Sequence, residues 1–151
     1  MKALPLNGTR TPSTRPFEII HSDVLGPING LHPHVARFAI VFKDDVTAYT
    51  SIYMMHVKSE APAKLQLYLD EMGAKSLQHR LAGARLHLDG ASELTYSAWT
   101  AVLRKYDMLI NEVSVPYNPQ TNGVAERTFG TLIPDVRAML NASGMSPRWW
   151  G

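Results

Sequence analysis

The sequence predicts one α/β domain: a mixed sheet of five strands, the first three antiparallel and the fourth and fifth parallel to the first, flanked by helices. Three observations carry this. Three runs rich in β-branched and aromatic residues come first, joined by turn residues. Helix-like and strand-like runs then alternate to the end of the chain. The length, 151 residues with 45% apolar and 19% charged side chains, suits one domain with a core and is too short for two ordinary ones.

Residues 1 to 16 scatter Pro5, Gly8, Pro12 and Pro16 among Thr, Ser and Arg and read as a leader or linker ahead of a domain over 17–151. From Phe17 to Val24, alternation places Phe17, Ile19, His21 and Asp23 on one face, and Gly26-Pro27 stops the strand. Asp23 therefore sits at a strand's C-terminal end. Ala36 to Lys43 and Tyr49 to Val57 are two further strands, joined through Asp44-Asp45-Val46-Thr47 as a hairpin, so the first three strands form a meander.

Ser59 is the expected N-cap of a first helix, with Pro62 in its tolerant first turn and Ala61, Leu65, Leu69 and Met72 on one face. It ends near Gly73 to Gly83. Ala84 to Leu88 is a short strand closed by Asp89-Gly90, and Trp99, Val102, Leu103 and Tyr106 mark the next helix. Asn111 to Val115 is expected as the fifth strand, and the prolines in Pro116-Tyr117-Asn118-Pro119-Gln120-Thr121 require a loop. A long helix starts around Asn122, striped by Phe129, Leu132, Ile133, Val136, Met139 and Leu140, with Gly144 as its stop. Pro134 inside it predicts a kink rather than a break.

Net charge is +2 with a pI near 9.0, which only weakly favours an anionic partner. The absence of cysteine excludes disulfides, thiol catalysis and Cys-containing zinc sites, and fits an intracellular address. No apolar run approaches the roughly 20 residues of a membrane-spanning helix, and residues 1–8 do not form a secretory signal. Of the histidines at 21, 32, 34, 56, 79 and 87, only His32-Pro33-His34 hints at zinc, and the proline between them argues against it.

Three carboxylates stand out. A right-handed crossover lays the fourth strand parallel to the first, which brings Asp23 and Asp89 to one edge of the sheet. Glu126 continues the apolar stripe of the last helix toward that helix's N-terminus, a costly position unless the carboxylate is paired or metal-bound. Three hard oxygen donors favour Mg²⁺ or Mn²⁺ over zinc. Two such ions about 4 Å apart can activate an attacking oxygen and stabilise the leaving oxygen of a phosphodiester. Asp44 and Asp45 are explained by the hairpin turn, and Glu93 by a solvated loop.

His21-Ser22-Asp23-Val24-Leu25-Gly26-Pro27, Leu88-Asp89-Gly90 and Pro116 through Arg127 together resemble the integrase catalytic core of retroelements, most nearly the copia type of LTR retrotransposon. The resemblance covers roughly residues 17 to 150. It implies a ribonuclease-H-like fold with an Asp, Asp, Glu triad, metal-dependent trimming of DNA ends and attack of the new 3′-hydroxyl on target DNA, homo-oligomers, and action in the nucleus. In that scheme Asp23 would bridge two Mg²⁺ or Mn²⁺ ions, and Asp89 and Glu126 would each hold one. Tyr117, Gln120 and Asn122 would line a loop against the DNA end, and Arg127 and Lys105 would contact phosphates.

The sequence departs from that family at Gly90-Ala91-Ser92-Glu93-Leu94, where a different pattern usually follows the second Asp, and at Phe129-Gly130, where Asn and a basic residue are usual. The family's upstream zinc module, basic C-terminal domain and further helices are not in the sequence, as expected of a C-terminally truncated piece of a polyprotein. Two alternatives follow: an inactive or repurposed remnant that binds nucleic acid or protein, and a nuclease of the same fold.

Overall fold

In the computed structural model, residues 13–27, 36–73, 81–88, 96–110 and 123–145 are described. The strands are β1 (Ile19–Leu25), β2 (Phe38–Asp44), β3 (Thr50–Met55), β4 (Arg85–His87) and β5 (Leu109–Ile110). The helices are α1 (Ala61–Glu71), α2 (Tyr96–Lys105) and α3 (Gly123–Ser143). The sheet order is β3-β2-β1-β4-β5. β1, β2 and β3 pair antiparallel, while β4 runs parallel to both β1 and β5.

Period-two alternation divides the sheet's faces. Ile40 and Phe42 of β2, with Ile20 and Leu86, face α1 and α2 and join Leu65, Leu69, Trp99 and Leu103 in the main core. Ala39 and Val41 of the same strand face the other way and meet Phe129 of α3, with Leu25, Ile52, Met54 and Leu132 around them. The α1 and α2 side is held by polar contacts too. The Tyr106 hydroxyl donates to Asp70 Oδ1 at 2.7 Å, and burial first, then this bond, pushes its pKa up to about 12.

Several boundaries differ from the sequence reading, each for a local reason. β1 begins at Ile19 rather than Phe17, because Phe17 adopts φ 63 and its N–H donates to Asp44 Oδ1 at 2.7 Å. That turn sends the Phe17 ring to the main core, away from the face of His21. Ser59 does not cap α1. It lies in a 3₁₀ turn, Lys58–Glu60, where the Glu60 carboxylate accepts the N–H groups of His56 and Val57.

β5 pairs at Leu109 and Ile110, earlier than expected, because a left-handed Asp107 (φ 55) ends the turn after α2 and brings Leu109 N–H to the carbonyl of Ala84 at 2.7 Å. Residues 111–115, where that strand was expected, lie outside the described residues. α3 runs through Pro134 without a break and stops at Gly144, φ 67. Only the start of its stripe is seated: Phe129 is buried, whereas Met139 is 71% exposed. No helix among the described residues is long and apolar enough to cross a membrane.

Candidate functional site

From His21 to Asp23, β1 brings polar groups to the α3 side of the sheet. His21 is fully buried, and its Nε2 lies 3.1 Å from Asp45 Oδ1. The second oxygen of Asp45 accepts the Ser13 hydroxyl at 2.7 Å. Asp45 thus does more than occupy the hairpin turn that its sequence context indicated: it joins the segment before β1, the hairpin and a buried imidazole. Parallel register sets His21 beside His87 of β4, their rings 5.2 Å apart and inclined at 44°.

Asp23 follows His21 by two residues on the same strand face and is half-buried. It pairs in register with Val41 of β2, and its Oδ1 accepts the N–H of Val24 at 2.8 Å. β4 reaches His87 two positions before Asp89 in the chain, as His21 stands two before Asp23. Asp89 itself lies outside the described residues, as do Tyr117, Gln120 and Asn122.

Two contacts fix the start of α3 over this part of the sheet. Phe129 is buried against Val41, the register partner of Asp23, and against Ala39. Lys43, opposite His21, donates from Nζ to Thr128 Oγ1 at 3.3 Å. Glu126 belongs to the first turn of the same helix, three residues before Phe129; its side chain is outside the described residues, as are those of the rest of that turn. Among the described residues no three carboxylates or imidazoles converge as a metal-binding group.

The structure separates the two expected phosphate contacts. Arg127 is exposed in the α3 segment that carries Glu126 and lines a groove with Lys43. Lys105 ends α2, which packs on the opposite face of the sheet and leads into the start of β5. It therefore lies toward the edge where the parallel strands begin, whereas Asp23 lies toward the end of β1. Its ammonium sits 5.7 Å from the Tyr106 ring centroid.

Lys43 and Asp45 are the site neighbours that sequence reading missed. Both follow from the β1–β2 register, which the sequence does not specify because residues 26–37 separate the two strands, a connection too long for a two-residue turn to set the pairing.

No protein-family model matches the chain. Over 138 residues it is 26% identical to the transposon Ty1-PR2 Gag-Pol polyprotein of Saccharomyces cerevisiae, a stretch covering 91% of this chain and 8% of the polyprotein. Over 142 residues it is 27% identical to the Ty1-NL2 Gag-Pol polyprotein of the same yeast, with the same coverage of each. The chain thus spans less than a tenth of these relatives. Among solved structures it is similar to a chain in the cryo-electron-microscopy structure of the simian T-cell lymphotropic virus intasome in complex with the PP2A regulatory subunit B56 gamma. There the TM-score is 0.67 at 18% identity, covering 87% of this chain and 44% of that one. The chain is related in sequence to retrotransposon Gag-Pol polyproteins and shares its α/β fold with a chain of a retroviral intasome.

Proposed function

We propose that this domain is the catalytic core of a retroelement integrase of copia type, with a ribonuclease-H-like fold, and that it cuts and joins DNA through Asp23, Asp89 and Glu126. The observation that carries the reading is the parallel β1–β4 register beside the seated start of α3. Asp23 pairs with Val41, against which Phe129, three residues after Glu126 on α3, is buried, and β4 beside β1 ends two residues before Asp89 in the chain. Relationship to Ty1 polyproteins and the intasome-like fold support the same reading.

The donor set suits Mg²⁺ or Mn²⁺: carboxylate oxygens, no cysteine, and a half-buried Asp23 at a strand end. Asp23, Asp89 and Glu126 would hold two such ions, which supply activation of the attacking oxygen and stabilisation of the leaving oxygen at phosphorus. The chain's own part is positional. The sheet holds Asp23 rigidly, Phe129 and the Lys43–Thr128 bond hold the helix start, and Tyr117, Gln120, Asn122 and Arg127 contact the DNA. DNA is the partner, the working form is a homo-oligomer, and the place of action is the nucleus.

The test is incubation of the purified chain with a short linear DNA duplex and Mn²⁺. The expected products are trimmed 3′ ends and joined strands that carry one duplex's end inside another. Cleavage without any joining would overturn the integrase reading and indicate a nuclease, and no reaction would indicate a binding remnant.

A further inference from the structure

A groove separates the β2–β3 ribbon from the outer side of α3, with a volume of about 410 Å³. Its lining combines two cations, Lys43 and Arg127, three hydroxyls, Thr50, Thr128 and Thr131, and an apolar floor of Ile52 and Leu132, with Asp135 at the C-terminal side of α3. Lys43 and Thr50 stand opposite each other across the β2–β3 pair. Lys43 Nζ already meets the Thr128 hydroxyl at 3.3 Å, so cation and hydroxyl are arranged side by side. Among the described residues neither Lys43 nor Arg127 is engaged in an ion pair, and no carboxylate borders their end of the groove.

Two cations and a hydroxyl around a narrow seat match the backbone phosphate of a nucleic acid strand, and the apolar floor suits the adjoining sugar. Asp135, about two turns along the helix from Arg127, repels a phosphate from the far end, which confines the seat to the Lys43, Arg127 and Thr128 end. Lys43 also stands two rungs along the sheet from Asp23. We propose that this groove seats a phosphodiester of the bound DNA, with Lys43 as its anchor and Arg127 as its second contact. The inference rests on the reading of the chain as a DNA-acting core and assigns Lys43 a role that its strand position alone does not reveal.

The experiment measures affinity for a short B-form duplex against salt concentration, in EDTA so that binding is independent of the carboxylates and their ions. Each lost phosphate contact makes the slope of log affinity against log salt shallower by about 0.9, which at 0.1 M salt is about a five- to tenfold loss. Lys43→Gln and Arg127→Gln are each expected to show this, Lys43→Arg to keep the wild-type slope, and Asp135→Asn to bind more tightly. Unchanged affinity and slope in both Gln variants would overturn the proposal, and so would wild type that does not bind the duplex. Arg127 is exposed, so Arg127→Gln stays informative even if Lys43→Gln fails to fold. Failure here with a Mn²⁺-dependent shift of the unfolding midpoint intact removes the groove and leaves the metal-centred reading standing. Binding as expected without that shift does the reverse.

Discussion

Asp23→Asn is expected to lower the proposed Mn²⁺-dependent cutting and joining of a linear duplex by roughly 10³-fold or more, about 4 kcal/mol of barrier, while leaving the fold in place. The carboxamide is the same size as the carboxylate and can still accept the Val24 N–H that Oδ1 accepts at 2.8 Å, so β1 keeps its local geometry. Its pairing with Val41 involves backbone and is untouched. What the variant loses is the negative charge and most of its value as a hard oxygen ligand. The check pairs the reaction rate with a thermal unfolding curve measured without metal. A lost reaction with an unchanged midpoint is the expected result; a variant that still cuts and joins would place the chemistry elsewhere.

The largest effect on stability is expected from Asp44→Ala, a loss of about 4 kcal/mol in urea unfolding. Asp44 is 1% exposed. Its carboxylate accepts the Phe17 N–H at 2.7 Å, the Thr47 N–H at 2.8 Å and the Thr47 hydroxyl at 2.7 Å. Hydrogen bonds to a charged group contribute about 1.5–3 kcal/mol each, and donors left buried without an acceptor cost about 1–3 kcal/mol. The sum is held below simple addition because the exposed hairpin tip can turn Thr47 to water. Asp44→Asn, which keeps one acceptor oxygen, is expected to lose about half as much. A loss under 1 kcal/mol for the alanine variant would show that the Phe17 turn and the hairpin are held by something else.

Residues that act through local pattern were legible in the sequence. The β-branched and aromatic run through Ile40, Val41 and Phe42 marked β2 as a strand, and the Asp44 to Thr47 run closes the hairpin. The crossover between β1 and β4 followed from handedness and appears as parallel pairing. Long-range polar contacts were not legible. Asp45 meets His21, and Lys43 meets Thr128 across 85 positions, only because the β1–β2 register and the seat of α3 put them there.

Phe17 shows the same limit from another side. Its aromatic character reads as strand, yet a side chain 27 positions away captures its N–H and bends it into the left-handed region. The stripe on α3 marked a buried helix face, but among the described residues only its beginning, Phe129 and Leu132, packs into the core beneath, and Met139 is exposed. In the candidate site, the structure places Asp23 and the start of the Glu126 helix together, while Asp89 and the loop residues lie outside what it describes.

The most direct test of the assembled carboxylate centre is the thermal unfolding midpoint of the chain with and without Mn²⁺, in wild type and in Glu126→Gln. An ion that binds only the folded state stabilises it by about 2.7 kcal/mol at 100 times its dissociation constant, about 5–10 °C for a domain of this size. The expected result is that rise in wild type and its loss in Glu126→Gln. A cooperative transition indifferent to Mn²⁺, or a rise that Glu126→Gln retains in full, would contradict it.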